Sequence, residues 1–180
     1  MTQNDNTKSG VLTDNMLREL ANMGKINAQT KIEDNQFQPA SLDLRLGDFA
    51  YRMRASFLPG VGKSVEERLK DEDIVLHKLD LKNGAVLETG CVYLAPLQEF
   101  IDLPQNIEGI TNPKSSTGRI DVFVRVINDG ATAFDRVRKG YQGPLWVEIC
   151  PRTFSVLLQS GERLAQLRLK QNSPPTIKKM

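Results

Sequence analysis

The segment Leu42-Asp43-Leu44-Arg45-Leu46 alternates strictly between apolar and charged residues. Successive side chains of a β-strand point to opposite faces, so this pattern is typical of a strand with one buried face. Looser alternation predicts further strands over residues 74–81, 91–97, 122–127, 145–149, 154–158 and 164–169. Turn residues such as Asn83-Gly84 and Ser160-Gly161 separate these strands. The spacing predicts a mainly β protein, a sandwich or jelly-roll-like barrel with a few short peripheral helices.

Two of those helices carry recognisable start signals. Thr13 is placed to cap a helix over residues 14–23, and Gly24 is placed to end it. The run Ser64-Val65-Glu66-Glu67 fits a capping box, in which the serine and the last glutamate satisfy N–H groups of the first turn. Both helices are expected on the outside of the β structure.

The length of 180 residues fits a single domain, since one domain has roughly 100–200 residues. We expect a disordered tail over residues 1–10, one domain over 11–171, and a tail or the start of a linker over 172–180. The net charge of +2 does not indicate a nucleic acid or a membrane surface as partner. The polar N-terminus lacks the apolar core of a secretory signal, so a cytoplasmic location is expected.

The sequence has one histidine, His77, and two distant cysteines, Cys91 and Cys150. A protein zinc site needs three or four ligands, mostly of these types, so the counts argue against a zinc enzyme. A catalytic histidine would have to be His77, which lies in a predicted strand and is more typical of a packed or solvated side chain. Two distant thiols in a cytoplasmic protein do not favour a disulfide.

Residues 112–119, NPKSSTGR, combine two cations with two serines and a glycine. Lys114 and Arg119 supply charge, whereas Ser115 and Ser116 supply hydrogen-bond donors, so the segment is a candidate cradle for phosphate. Serine, threonine and glycine also form ordinary turns, and the sequence alone does not decide between the two interpretations.

Glu148 follows a predicted hairpin turn and is flanked by Trp146, Val147 and Ile149. In a two-sheet fold with both faces covered, such a carboxylate loses water, which suits a general base or a proton shuttle. The alternative is a glutamate on the solvent face of its strand. Asp43 and Arg45 share one strand face, so they are expected to pair with each other or to order a neighbouring loop.

Four motifs, taken in order, resemble the dCTP deaminase branch of the dUTPase-like superfamily, and bacterial members most closely. They are PASLDLRLG at 39–47, KSSTGR at 114–119, GYQGPLWVE at 140–148 and GERLAQL at 161–167. The resemblance runs from Gly10 to Leu169. It implies a distorted jelly-roll or β-clip barrel of the dUTPase type, a trimeric assembly, and active sites where subunits meet.

The resemblance also implies roles for individual residues. Glu148 matches the catalytic glutamate, and the strand end 126–129 matches the segment whose backbone contacts the base and the attacking water. The implied substrate-binding residues are Lys114, Ser115, Ser116, Arg119, Val126, Asn128 and Tyr141. The implied reaction converts dCTP to dUTP and ammonia, a step toward dTTP, with Mg²⁺ bound to the triphosphate and no zinc.

Two alternatives to a self-sufficient deaminase stay open. Similar proteins of twice this length carry a second, degenerate copy of the fold, so the chain can be a catalytically incomplete nucleotide-binding or scaffold half. The assembly is then either a homo-trimer or a pseudo-trimer. A dUTP pyrophosphatase is a weaker alternative, because Arg138 stands three residues before Tyr141, where dUTPases usually carry an aspartate.

Overall fold

The computed structural model describes residues 9–71 and 73–172. The three α-helices are α1 Asp14–Asn22, α2 Val65–Leu69 and α3 Ser115–Arg119, and a 3-10 helix spans Asp34–Gln36. The strands are β1 Gly10–Val11, β2 Ile26–Ala28, β3 Phe37–Gln38, β4 Ser41–Arg45, β5 Phe49–Met53, β6 Val75–Asp80, β7 Ala85–Leu87, β8 Val92–Asp102, β9 Ile107–Pro113, β10 Val122–Asn128, β11 Arg136–Val137, β12 Gln142–Pro151, β13 Val156–Leu158 and β14 Arg163–Gln171.

Two six-stranded antiparallel sheets form the body of the domain. The first sheet has the order β11-β9-β14-β4-β3, with β1 added beside β14. The second has the order β10-β12-β8-β5-β6, with β2 added beside β8, and β7 and β13 form a separate pair. The prediction of a mainly β fold with short peripheral helices is confirmed. The barrel is not closed, however, because each sheet ends in edge strands.

The main hydrophobic core lies between the two sheets and follows the alternation of their strands. In β12, Leu145, Val147 and Ile149 face this core, while Trp146 and Glu148 lie on the opposite face. That opposite face is also covered, because Trp146 belongs to a second apolar cluster with Met53, Val65, Leu94, Ile127 and Ala131. Both faces of β12 are therefore shielded from water at its centre.

The charged face of β4 orders a neighbouring loop, which is one of the two alternatives that the sequence left open. Asp43 and Arg45 are only 2% and 4% exposed, because residues 30–36 cover the outer side of this strand. Arg45 donates to the carbonyl oxygens of Thr30 and Lys31 and forms an ion pair with Glu99 at 2.8 Å. Asp43 and Arg45 do not pair with each other, since each meets an opposite charge from another strand or loop.

The helix signals are confirmed with one difference. At α2, the Ser64 side chain accepts from the Glu67 amide at 3.1 Å, and the Glu67 carboxylate accepts from the Ser64 amide at 2.7 Å. Thr13 precedes α1 as predicted, although its side chain makes no capping hydrogen bond. Gly24 has a φ of +71° just beyond the helix, a conformation that glycine adopts without strain.

Several other expectations concern the surface and the chain ends. His77 is exposed on β6, and both cysteines are free. Across residues 9–71 and 73–172, none of the helices has the length and apolar composition needed to cross a bilayer. β1 begins at Gly10, the last residue of the predicted N-terminal tail. The tail predictions for residues 1–8 and 173–180 lie outside the described residues.

Candidate active site

Glu148 lies near the centre of the second sheet and is 3% exposed. Its strand, β12, pairs with β10 on one side and β8 on the other, which places Glu148 opposite Arg125 and opposite Leu94. The solvent-facing alternative for this glutamate is therefore wrong. Burial of a carboxylate requires a compensating partner, because an isolated charge loses its hydration.

That partner is Arg125, which donates to Glu148 through two nitrogens. Nε lies 2.9 Å and Nη2 lies 2.5 Å from Glu148 Oε1. Nη2 also donates to Ser56 Oγ at 2.9 Å, and the guanidinium lies 3.6 Å from the centre of the Phe134 ring. Loop residues on both sides thus hold the arginine, which in turn fixes one carboxylate oxygen.

The phosphate-cradle segment continues directly from strand β9. Lys114 is the N-cap residue of α3, and Ser115, Ser116 and Arg119 are exposed on this one-turn helix. Thr117 anchors the helix, since its buried hydroxyl donates to the Leu164 carbonyl oxygen at 3.0 Å. The helix therefore leaves two serine hydroxyls and one guanidinium open to solvent.

Lys114 differs from the other residues of this segment. Its ammonium group is paired with the buried carboxylate of Asp43 on β4. The Lys114 amide also donates to the Leu164 carbonyl oxygen at 2.8 Å. Both contacts tie the start of α3 to the first sheet, so the charge of Lys114 is partly neutralised where it lies.

Val126 lies at the other end of β10, and an aspartate engages both of its backbone polar groups. The Val126 amide donates to Asp135 Oδ1 at 2.8 Å, and its carbonyl oxygen accepts from the Asp135 amide at 2.9 Å. Thr111 donates to the same Asp135 oxygen at 2.9 Å. Asp135 has a φ of +59°, so this contact also fixes an unusual backbone turn.

Asn128 and Tyr141 hold the loop that follows β10. The Asn128 side-chain amide donates to the Arg136 carbonyl oxygen at 2.6 Å. The Tyr141 hydroxyl donates to the Pro144 carbonyl oxygen at 2.7 Å and accepts from the Asp129 amide at 3.1 Å. Burial is the main cause that raises the pKa of Tyr141 to about 12. Both side chains are buried, so their contacts define the shape of the loop.

The predicted site residues fall into groups along β10 rather than into one cluster. α3 precedes the strand, Glu148 lies beside its middle, and Val126 and Asn128 lie near its end. Six residue steps separate Val122 from Asn128, which corresponds to about 20 Å of extended chain. Glu148 is thus close to the Val126 end of the site, whereas the α3 donors lie beyond the other end of the strand.

Two residues with clear roles in this geometry were missed by the sequence analysis. Arg125 interrupts the apolar run Val122-Phe123-Val124-Arg125-Val126-Ile127, and a charge in such a strand was an available signal for a buried partner. Asp135 had no such signal, because its contact with Val126 depends on the loop conformation. Among the described residues, no group of three or more His, Cys, Asp or Glu side chains is placed to hold a metal ion.

Comparisons with known proteins agree with this architecture. Residues 8–173 match the family described as 2'-deoxycytidine 5'-triphosphate deaminase (DCD) N-terminal domain. A protein named dCTP deaminase, dUMP-forming, from Methanobrevibacter smithii is 26% identical over 92% of this chain and 82% of its own length. A dCTP deaminase from Natronomonas pharaonis is 31% identical over 78% of this chain and 69% of its own length.

Solved structures extend the comparison. The crystal structure of 2'-deoxycytidine 5'-triphosphate deaminase from Agrobacterium tumefaciens has a TM-score of 0.88 and 49% sequence identity, and it covers 91% of this chain. The present chain covers 49% of that protein and so spans about half of its length. A dUTPase variant from phage phi11 of S. aureus, at 12% identity and a TM-score of 0.50, shares the fold. Both bacterial and archaeal relatives match, so the similarity is not restricted to bacterial proteins.

Proposed function

Because the chain belongs to the dCTP deaminase family, we propose that it hydrolyses dCTP to dUTP and ammonia. The observation that carries the proposal is the buried Glu148 carboxylate, held through one oxygen by Arg125. A general base has to be positioned within reach of the proton that it takes, and the Arg125 contact fixes the orientation of the Glu148 carboxylate. The product serves as a dTTP precursor, and the cytoplasm is the proposed location.

In the proposed reaction, water attacks C4 of cytosine and loses a proton to Glu148. The carboxyl group passes that proton to N3 and then carries the proton of the new C4 hydroxyl group to the amino nitrogen. The C4–N4 bond breaks, a C4 carbonyl forms, and ammonia leaves. Since Arg125 holds Oε1, the proton moves through Oε2. The backbone near Val126 is proposed to orient the base and the water, which requires exchange of its contact with Asp135.

The triphosphate is proposed to bind at α3. Ser115, Ser116 and Arg119 are exposed there as donors. Lys114 joins them only if phosphate replaces Asp43 as its partner. Magnesium is proposed to arrive with the substrate, because phosphate oxygens are hard ligands that Mg²⁺ prefers.

The assembly is proposed to be a homo-trimer, or a pseudo-trimer with a second copy of the fold. The separation of about 20 Å along β10 supports a shared site, in which α3 of one copy faces the Val126 and Asn128 end of another. Light scattering at assay concentration tests the assembly. An active particle that stays monomeric would contradict the shared site.

The direct test incubates the purified 180-residue chain with dCTP and Mg²⁺ and measures ammonia and dUTP. Glu148→Gln is the matched control, and its ammonia release should fall to background. Ammonia release by the parent at the same rate as by this control would reject the deaminase proposal for the isolated chain.

A second candidate is a catalytically incomplete half that binds nucleotide without converting it. The observation that favours it is the length difference, because the chain covers 49% of the Agrobacterium protein. Nucleotide binding without ammonia release would support this candidate. Ammonia release that appears only after a second copy of the fold is added would support the pseudo-trimer.

A third candidate is a deaminase that continues from dUTP to dUMP. The name of the Methanobrevibacter relative, dCTP deaminase, dUMP-forming, favours it. A dUTP pyrophosphatase without deaminase activity is the weaker form of this alternative. Chromatography of the products distinguishes both from a deaminase that stops at dUTP, because only the dUMP-forming deaminase and the dUTP pyrophosphatase release pyrophosphate.

A further inference from the structure

A cleft of about 520 Å³ lies against the outer face of the first sheet. This volume is within the range of about 300–1,000 Å³ that small-molecule sites occupy. Glu148, Ser115 and Arg119 do not line it, although Asn128 lies at one end. The cleft therefore adjoins the proposed substrate site without containing its base or its α3 donors.

Strand pairing places cations in two rows across this face. Ile110 at the centre of β9 lies opposite Arg136 of β11 and opposite Arg168 of β14. Residues directly opposite in an antiparallel pair share one face of the sheet, so both arginines flank Ile110. In the next row, Glu108 lies opposite Lys170. All of these residues line the cleft.

The charge in the cleft is unusual for this chain. Arg136, Arg138, Arg168 and Lys170 line it together with a single carboxylate, that of Glu108, which leaves a surplus of three positive charges. The whole chain has a net charge of only +2, so all of its other ionisable side chains together sum to −1. Converging cations repel one another, and an anion in the cleft removes that repulsion.

Arg138 is already held in position. Its Nη1 donates to the Asp129 carbonyl oxygen at 3.0 Å, and its guanidinium lies 5.1 Å from the centre of the Tyr141 ring. An arginine fixed in this way loses little conformational freedom when it binds an oxyanion. Val11 and Ile110 supply exposed apolar surface in the same cleft, which suits the uncharged part of a ligand.

From this arrangement we propose that the cleft binds the phosphate chain of a nucleoside polyphosphate, at a site separate from α3. The guanidinium groups present paired donors to phosphate oxygens. The apolar residues contact the nucleoside. This site goes beyond the proposed deaminase activity, because none of the four cations belongs to the proposed catalytic or substrate-binding set.

The test measures binding of inorganic tripolyphosphate to the full chain by isothermal titration calorimetry at 0.15 M salt. The double variant Arg168→Gln/Lys170→Gln removes two exposed cations from the cleft. Lys31→Gln/Lys70→Gln is the matched control, because it removes two exposed cations that do not line the cleft and changes the net charge equally. The cleft variant should bind at least about 10-fold more weakly, whereas the control should bind like the parent.

Arg119→Ala separates the two phosphate sites, since it removes the exposed cation of α3. Tripolyphosphate should still bind to this variant, and adding the cleft substitutions should remove that binding. Complete loss of binding in Arg119→Ala alone would overturn the proposal. Equal weakening in the cleft and control double variants would also overturn it, because that result reports diffuse charge only.

Two further measurements keep the test independent of folding and of the proposed activity. Circular dichroism and light scattering are expected to be unchanged in the cleft variant. A change of oligomeric state with unchanged tripolyphosphate affinity would assign this face to a subunit contact and reject the proposal. Failure of dCTP deamination leaves the binding test unaffected, because the titration uses no reaction.

Discussion

Arg125 and Glu148 face each other directly across the antiparallel β10–β12 ladder. Both contacts of the guanidinium reach the same oxygen, Oε1, at 2.9 and 2.5 Å. Backbone pairing sets the position of both residues, and Ser56 and Phe134 restrict the arginine further. Arg125 is therefore a positioning residue, which acts on the proposed reaction through the carboxylate that it holds.

Substitution of Glu148 by glutamine should abolish turnover while nucleotide binding survives. The amide keeps the shape and a hydrogen-bonding oxygen, but it cannot accept the proton of the attacking water. Loss of general base catalysis should lower kcat by at least about 100-fold. Steady-state kinetics measure the rate, and calorimetric titration with dCTP measures binding. Activity within a few-fold of the parent would show that Glu148 is not the base.

Substitution of Arg125 should affect both stability and catalysis. Arg125→Met leaves a buried carboxylate without its charged partner, which costs about 3–5 kcal/mol of unfolding free energy. Arg125→Lys keeps the charge but not the geometry of two donors, so it should recover part of that stability.

Arg125→Met should lower kcat more than it raises KM, because in the proposed reaction the arginine acts through the Glu148 carboxylate that it holds. A double variant, Arg125→Met/Glu148→Gln, should be more stable than Arg125→Met alone, since no charge is left unpaired. Urea unfolding of the four proteins measures this coupling. Additive effects of the two substitutions would contradict the structural relationship.

The sequence offered burial of Glu148 as one of two alternatives, and it did not indicate the partner of this carboxylate. Alternation in β12 places Glu148 and Trp146 on one face, and a two-sheet fold predicts that the flanking residues cover it. The identity of the partner depends on the register between β10 and β12, which single-strand patterns do not specify. The partner of Asp43 was not predictable for a similar reason, because Lys114 comes from a segment 71 residues away.

Strand β9, Ile107–Pro113, is an element that residue patterns did not predict. Its Gly109 and terminal Asn112-Pro113 are residue types typical of turns, and no strand was predicted over these residues. A Cβ at Gly109 would lie 3.0 Å from Leu167 and 3.1 Å from Leu169. Tertiary packing therefore leaves little room for a side chain at this position of the strand, and no local pattern indicates that close approach.

The exposed donors of α3 should act on phosphate rather than on the base. Ser115→Ala and Arg119→Ala each remove a group from the proposed cradle, so affinity for dCTP should fall much more than affinity for deoxycytidine. Titrations with both ligands measure the difference. Ser9→Ala is a suitable control, because it removes an exposed hydroxyl near the Gln171 end of β14, whereas α3 is bonded to Leu164 at the other end of that strand. Equal weakening of both ligands would place these residues outside a phosphate site.

Tyr141 should make the domain less stable at high pH. Its pKa is raised to about 12, mainly by burial, so the folded state keeps its proton more strongly than the unfolded state. This contribution is fully present below about pH 10 and is lost as the pH rises toward 12, by about 1.4 kcal/mol per pH unit.

Tyr141→Phe provides the control for that pH dependence. It leaves the Pro144 carbonyl oxygen and the Asp129 amide without their partner, which should cost about 1–3 kcal/mol at pH 8. The stability difference between parent and variant should shrink above pH 10, because the variant lacks the titrating group. Urea unfolding from pH 8 to 11 measures both proteins. A difference that is constant over this range would contradict the assigned pKa.

The final prediction concerns the end point of the reaction, which depends on Arg138 and Asp135. Cleavage of dUTP to dUMP needs a carboxylate that orients the water attacking phosphorus. Arg138 stands where dUTPases usually carry that aspartate, and a guanidinium has no acceptor for a proton. Asp135 is the nearby carboxylate, but its Oδ1 already accepts from Thr111 and from the Val126 amide. We therefore expect dCTP to be converted to dUTP without release of pyrophosphate. Chromatography of the nucleotides, with a coupled pyrophosphate assay, measures both products over a complete time course. If dUMP and pyrophosphate dominate, and Asp135→Asn removes them while ammonia release continues, Asp135 has left its contact with Val126 to take the second role.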